Sequence, residues 1–460
     1  MEWFILEIKQ KFINYFYLLI LLLQSCLVKA ETILTIYERS LTKDAEYLSA
    51  LEEYAASSED IIQARALLLP SLNFVFSHTQ TDQEIVSADN TVYQAGETNY
   101  PTDEYTLEFS QSIYDFSRWA AFDKAKAEKR LISSELQGVR QDLIERVADR
   151  YFSALAANEN YEAIKSEKKA VAKHYKLAKA RGSQLGRASD LLDAEARYFQ
   201  VQSREVELRN RFKAALQKLS ELTGSVPQSL TLIGDSLLLA HPQPSDPEEV
   251  VRLALANNPQ INSARHAVEV ARQQLRQDQG QRYPTLDLSL RANNRETEGT
   301  LFGGGSEVET SDIAVSLNVP LYSGGSVSSK IRQSAHLLSS AERQLEMKVR
   351  RVRTDSLAAY DGILSSIAKV EALARSVKAH EMSVVARTEE NRSGLIPTTA
   401  LVEAERDLFY MRVEFANARY DYILNTLKLK KMVGSLTEAD IAYVDTLLTG
   451  EEKQLNSFGF

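Results

Sequence analysis

The feature that most constrains this chain is an internal repeat whose two copies lie about 210 residues apart. In each copy a proline opens an alternating strand, a polar stretch leads to a second alternating strand, a tyrosine follows, and a long proline-free helical stretch comes next. Pro70 corresponds to Pro284, Tyr114 to Tyr322, and Gly224-Ser225 to Gly434-Ser435. Length alone would suggest two or three domains, but a repeat on this scale reads as one continuous body built from two halves.

The helical stretches are unusually long. From Phe116 to Arg181 there is no proline and one glycine, Gly138; from Ser326 to Arg392 there is again no proline and one glycine, Gly362. Ile132, Leu136, Val139, Leu143 and Val147 recur at spacings of three and four, which makes an apolar helical stripe. About 65 residues at 1.5 Å each span roughly 100 Å, a length that implies coiled-coil-like packing rather than a compact domain. Glycine-bearing turns at Gly182 to Gly186 and Gly394 to Pro397 reverse these stretches into shorter helices, Asp190 to Thr223 and Thr398 to Val433. Pro227, Pro242, Pro244 and Pro247 mark Ser225 to Glu248 as the linker between halves.

The strands alternate with a period of two. Leu286 to Asn293 and Ile313 to Val319 place apolar and polar side chains on opposite faces, as do Tyr105 to Ser110 and, less strictly, Leu72 to Ser77. A sheet packed on a soluble core gives the same alternation. Two hairpins with long polar tips, Thr81 to Asp103 and Arg295 to Ser311, suit an outer-membrane barrel better. Four strands are too few to close a wide barrel, so several chains would have to pool them. Proline at Leu69-Pro70-Ser71, Tyr283-Pro284-Thr285 and Val319-Pro320-Leu321 marks where helix becomes strand. Tyr114, Trp119 and Tyr322 cluster at the same ends, as membrane-boundary aromatics do, although ordinary packing would also place them there.

Composition narrows the function classes. At 44% hydrophobic and 25% charged, the chain is too polar for a bundle of membrane helices. A net charge of −9 argues against a nucleic-acid partner, which needs a basic face. Residues 1–30 read as a secretory signal: Lys9 and Lys11 precede the apolar run Phe12 to Leu23, and Val28-Lys29-Ala30 fits cleavage before Glu31. The only cysteine, Cys26, lies in that segment, where Leu23-Gln24-Ser25-Cys26 also resembles a lipoprotein box; lipidation at Cys26 stays open. Gly303-Gly304-Gly305 is followed by no Lys-Ser/Thr and opens no helix, so it is not a phosphate loop. Histidines at 78, 174, 241, 266, 336 and 380 lack ligand spacing, and no nucleophile elbow is present. The expectation is a non-enzyme with no cofactor, no metal site and no catalytic residue.

These residues resemble the TolC-type outer membrane efflux channels over essentially the whole mature length. The resemblance rests on Glu31 to Tyr37, Leu69-Pro70-Ser71-Leu72, Gln111-Ser112-Ile113-Tyr114-Asp115 and Tyr283 to Leu288. It rests equally on Val319-Pro320-Leu321-Tyr322-Ser323-Gly324-Gly325 and Ala416-Asn417-Ala418-Arg419-Tyr420. It implies an α+β homotrimer in which each chain gives four strands to one twelve-stranded outer-membrane β-barrel, continued by a long periplasmic α-helical barrel and ringed by an equatorial mixed domain. On that basis residues 31–240 form a first repeat, with a strand hairpin at about 71–114 and a helical hairpin at about 116–223. Residues 241–460 form the second, with hairpins at about 285–322 and 324–433 and a C-terminal equatorial segment. The implied function is an exit duct of a tripartite efflux or type I secretion system. It would take drugs or proteins from an inner-membrane pump (RND, ABC or MFS) and a periplasmic adaptor, across outer-membrane lipid. A periplasmic coiled-coil adaptor or scaffold without membrane insertion is the alternative, which leaves the alternating segments without a use.

Residue roles follow from the same resemblance. Asp190 falls on the family's gate aspartate, and Ala400 and Glu403 fall on its two aperture aspartates, of which only Glu403 keeps the charge. Glu403 is therefore expected to line the pore, against the plainer reading of a solvated helix residue. The family's gate tyrosine and arginine fall on Asn391 and Ile396, so those contacts are missing. Leu288, Leu290, Val315 and Leu317 are expected to face lipid, and Ser289, Arg291, Ser316 and Asn318 the lumen. Pro70, Tyr114, Pro284, Pro320 and Tyr322 are expected at the barrel–helix junction.

Overall fold

The computed structural model describes residues 31–86, 96–181, 188–234, 237–299, 304–448 and 452–454. The expected leader, Cys26, Gly303 and the turn expected at Gly182 to Gly186 lie outside these residues. In chain order the elements begin with α1 (Ile33–Ser40), α2 (Ala45–Ala66), β1 (Ser71–Ile85), β2 (Gly96–Tyr114), α3 (Phe116–Arg181), α4 (Ala188–Thr223) and β3 (Ser229–Thr231). They continue with α5 (Pro247–Asn257), α6 (Pro259–Gly280), β4 (Thr285–Thr297), β5 (Ser306–Asn318), α7 (Ser326–Arg392), α8 (Thr398–Val433), α9 (Glu438–Thr446) and β6 (Glu452–Gln454). The two long helices have 66 and 67 residues. Their ends coincide with the proline-free runs, because no proline inside those runs interrupts the backbone hydrogen-bond ladder and a single glycine in each is tolerated.

The chain divides into two units. One comprises the residues up to Leu48, Val139–Ala254 and Thr354 onward. Its core is helical, with Leu143 and Val147 of the apolar stripe fully buried. Tyr151 anchors the short antiparallel pair β3·β6: its hydroxyl donates to the Thr231 carbonyl at 2.9 Å and accepts from the Thr231 amide at 3.0 Å. Phe152 stacks on Tyr420, with ring centroids 5.4 Å apart. Helix α8 ends at Gly434, where φ is +76°, and its last carbonyls are taken by the amides of Gly434 and Ser435. Helix α9 starts with a capping box between Thr437 and Asp440.

The other unit comprises Ser49–Gly138 and Leu255–Arg353. It holds a four-stranded antiparallel sheet in the order β1-β2-β4-β5, with a register shift between Ser112 and Tyr114. Below the sheet, the end of α6 packs on the start of α3. Ser117 donates to the Gln277 carbonyl at 3.0 Å, and the Phe116 and Tyr283 rings meet edge-on at 5.2 Å. Gly280 is required there, because a Cβ would come within 2.9 Å of the Ser117 backbone nitrogen. Asp278, almost fully buried, accepts from Ser334 and pairs with Lys330 at 3.3 Å, tying α6 to α7.

The strands run further than their alternation suggests. Thr81 to Asp103 and Arg295 to Ser311 read as polar tips, yet β1 continues to Ile85, β2 starts at Gly96, β4 reaches Thr297 and β5 starts at Ser306. Ladder pairing does not need an apolar face. In these outer rungs polar cross-strand pairs serve instead: Gln80 with Asn99, Thr102 with Thr297 at 3.3 Å, and Asn294 with Glu307 at 3.2 Å.

Candidate functional site

The sheet has two chemically distinct faces. Register brings Leu72, Phe109, Leu290 and Ile313 into one row across all four strands. Gln111, Leu288 and Val315 make a second row on the same face, and Tyr114, Leu286 and Leu317 a third. Leu288 and Leu290 are half-buried, while Val315 and Leu317 are exposed. The opposite face carries Asn73, Glu108, Arg291 and Asp312 in one row, with Ser289, Ser316 and Asn318 alongside. Arg291 reaches across to Glu108 at 3.7 Å. Ile313, at 79% exposure, shows how open the apolar face of the single chain is. Strands β1 and β5 are the two outer strands, and neither has a further strand partner among the described residues.

The five junction residues sit at the sheet's lower rim. Pro70 immediately precedes β1 and Pro284 immediately precedes β4, while Tyr114 is the last residue of β2. Pro320 and Tyr322 lie in the irregular stretch between β5 and α7, and Tyr322 is exposed.

In the other unit, the turn between α7 and α8 closes on itself. Gly394 adopts φ +80°, the Leu395 amide donates to the Glu390 carbonyl at 2.9 Å, and the Gly394 amide to the Asn391 carbonyl at 3.1 Å. Asn391 Nδ2 donates to the Ile396 carbonyl at 3.0 Å. Asn391 and Ile396 thus bind each other across the turn. The Ala400 carbonyl accepts from Arg387 at 3.1 Å, and its amide donates to the Pro397 carbonyl at 3.1 Å. Glu403 is half-exposed and lies 3.6 Å from Arg197 of α4, so its charge has a counter-ion in its own chain. Asp190 lies in the first turn of α4, and its side chain is outside the described residues.

Residues that the sequence reading passed over line a cavity of about 870 Å³ beside Glu403, among them Glu167, Asp193, Arg204, Arg406, Asp407 and Tyr410. The Tyr410 hydroxyl donates to the buried Glu167 carboxylate at 3.1 Å, and the Arg204 guanidinium lies 5.3 Å from the Tyr410 ring centroid. Burial, then the charge of Glu167, pushes the Tyr410 hydroxyl above its ordinary pKa. The available signal was spacing: Arg197 and Arg204 are seven apart and Arg406 and Tyr410 four apart, so each pair shares a helix face. Among the described residues no group of His, Cys, Asp or Glu is placed to hold a metal ion, and no helix is long and apolar enough to cross a membrane.

A four-stranded sheet with an apolar and a polar face, carried on helices of 66 and 67 residues, defines a class of channel proteins that combine membrane strands with a long helical part. The chain belongs to the outer membrane efflux protein family, whose model matches residues 36–225 and 250–435. It is a channel of the outer membrane with a large periplasmic part, and not an enzyme. It is 28% identical to the outer membrane protein TolC of Vibrio cholerae, over 93% of this chain and 96% of that one. It is 27% identical to the alkaline protease secretion protein AprF of Pseudomonas aeruginosa, over 89% and 85% of the two chains. Its fold matches the CmeC outer membrane channel of Campylobacter jejuni with a TM-score of 0.76 at 14% identity, covering 91% of this chain and 89% of that chain. The open state of the MtrE outer membrane channel of Neisseria gonorrhoeae matches with a TM-score of 0.71 at 17% identity, over 88% and 90%. These likenesses favour the duct over the membrane-free adaptor or scaffold.

Proposed function

We propose that three copies of this chain form the exit duct of a tripartite efflux or type I secretion system. Each contributes its four strands to one twelve-stranded barrel, and the long helices continue the passage into the periplasm. The observation that carries this reading is the sheet itself: an exposed apolar face, a polar face and two outer strands with no further strand partner among the described residues. Closing the sheet with copies of itself satisfies the edges, places the apolar rows against lipid and leaves Arg291, Ser289, Ser316 and Asn318 in the lumen. The two stretches matched by the family model support a two-repeat organisation. The short β3·β6 pair with α1 and α9 supplies the mixed domain expected around the helical part.

The partners are a periplasmic adaptor and an inner-membrane pump of the RND, ABC or MFS type, and the cargo is a drug or a protein. The naming of a relative for protease secretion supports protein cargo. Fractionation tests the reading: the chain should be recovered with outer-membrane lipid after extraction of peripheral proteins at high pH. Recovery in the soluble periplasmic fraction would remove the barrel.

A further inference from the structure

The apolar face of the sheet ends in opposite charge at its two margins. Away from the helices it continues through Phe74 with Leu107 and Phe76 with Tyr105. The next row on that face is His78, Asp103, Glu296 and Glu307, which holds three carboxylates and no arginine or lysine. The helix-side margin is the reverse. Ile313, Val315, Leu317, Val319 and Leu321 form an exposed apolar series that runs on past the end of β5, and Leu321 is 92% exposed. The exposed rings of Tyr322 and Tyr283 follow, and then two arginines. Arg282 donates to the Ser328 hydroxyl at 3.1 Å, and Arg332 stands one helical turn beyond Ser328 on the same face of α7. Both arginines are exposed, and among the described residues neither makes an ion pair. The nearby carboxylate, Asp278, is almost fully buried and already serves Lys330.

We propose that this margin seats an anionic phospholipid of the periplasmic leaflet, with its phosphate between Arg282 and Arg332. This rests on the barrel reading above and gives the barrel a headgroup site on its helix side. Three demands made at one place identify the occupant. Two guanidiniums without a carboxylate call for an anion, and a phosphate accepts the paired N–H donors that each presents. Tyrosines set between apolar and charged surface call for a boundary between hydrocarbon and water. The apolar series calls for acyl chains, since a free anion would leave Leu317, Val319 and Leu321 uncovered. A zwitterionic headgroup fits less well, because its ammonium brings a positive charge toward the same two arginines. The far margin offers no equivalent seat, since Asp103, Glu296 and Glu307 repel a phosphate there.

Native mass spectrometry of the full chain tests this, after reconstitution in vesicles of phosphatidylglycerol and phosphatidylethanolamine in equal parts and re-extraction in detergent. The wild-type trimer should retain phosphatidylglycerol over phosphatidylethanolamine several-fold. Arg282→Gln with Arg332→Gln should abolish that preference at unchanged trimer mass. Arg282→Lys with Arg332→Lys should keep part of it, because the charge remains but the paired donors do not. Glu296→Gln with Glu307→Gln, at the far margin, should leave it as it is. Inorganic phosphate in excess should not strip the lipid. Equal retention of the two lipids by a wild-type trimer would overturn this site and leave the duct standing. So would a preference that survives Arg282→Gln with Arg332→Gln, or displacement by inorganic phosphate. Loss of the trimer in the glutamine pair would assign the two arginines to contact between copies and overturn the site as well. A wild-type chain that fails to enter vesicles, or has a one-chain native mass, would overturn the duct and this site with it.

Discussion

Arg197 and Glu403 sit 3.6 Å apart on facing helices, so the carboxylate expected to line the pore is partly neutralised by its own chain. In so exposed a pair the contribution to stability is at most about 1 kcal/mol, but the effect on an ion in a narrow passage is larger. Glu403→Ala is expected to weaken cation selectivity and divalent block in planar-bilayer conductance without changing trimer yield. Arg197→Ala frees the same carboxylate and is expected to strengthen both. Movement of the two variants in the same direction would take Glu403 out of the pore. Asp278 presents a different case. Burial works to raise its pKa, but hydrogen bonds from Ser334, Gln274 and Lys330 outweigh this and hold it below the ordinary 3.8. Its stabilisation is therefore present above 3.8 and lost as pH falls through the lower folded-state value. Asp278→Asn should lower the thermal midpoint at neutral pH, at a cost of roughly 1–3 kcal/mol, and the gap from wild type should close in acid.

At the scale of elements, the sheet makes the sharpest demand. Leu317 and Ser316 are adjacent in β5 but belong to opposite faces. Leu317→Arg would set a charge in the apolar face close to the sheet's rim, at a cost below the about 2–4 kcal/mol of a midplane site, whereas Ser316→Arg would join a row that already holds Asp287. Heat-modifiable migration on gels, which reports folded barrel, should fall for the first variant only. The same comparison shows what a sequence can disclose. Period-two alternation separated Leu288, Leu290, Val315 and Leu317 from Ser289, Arg291, Ser316 and Asn318, because side-chain direction in a strand is a local property. Uninterrupted runs disclosed α3 and α7 for the same reason. Strand ends escaped notice where Thr102 meets Thr297, since pairing with a residue 195 positions away leaves no periodic trace. Tyr410 and Glu167, 243 positions apart, were invisible in the same way. Asn391 could be aligned with a latch position, but only the folded turn shows its amide spent on Ile396.

For the whole molecule, a detergent-extracted native mass of three chains is expected, and a mass of one or two would contradict the twelve-stranded closure. The open apolar face and the two unmatched outer strands also bear on biogenesis. A lone copy offers lipid only one side of an unfinished sheet, with both margins unpaired, and such a sheet has no stable resting place in water or in bilayer. On the trimeric reading proposed above, insertion and association would be a single event, and its rate should climb faster than linearly with the supply of newly exported chains. Pulse-labelling at graded expression would display that as a lag that shortens steeply with dose. Below a threshold of synthesis, copies would be cleared by periplasmic proteolysis before three could meet.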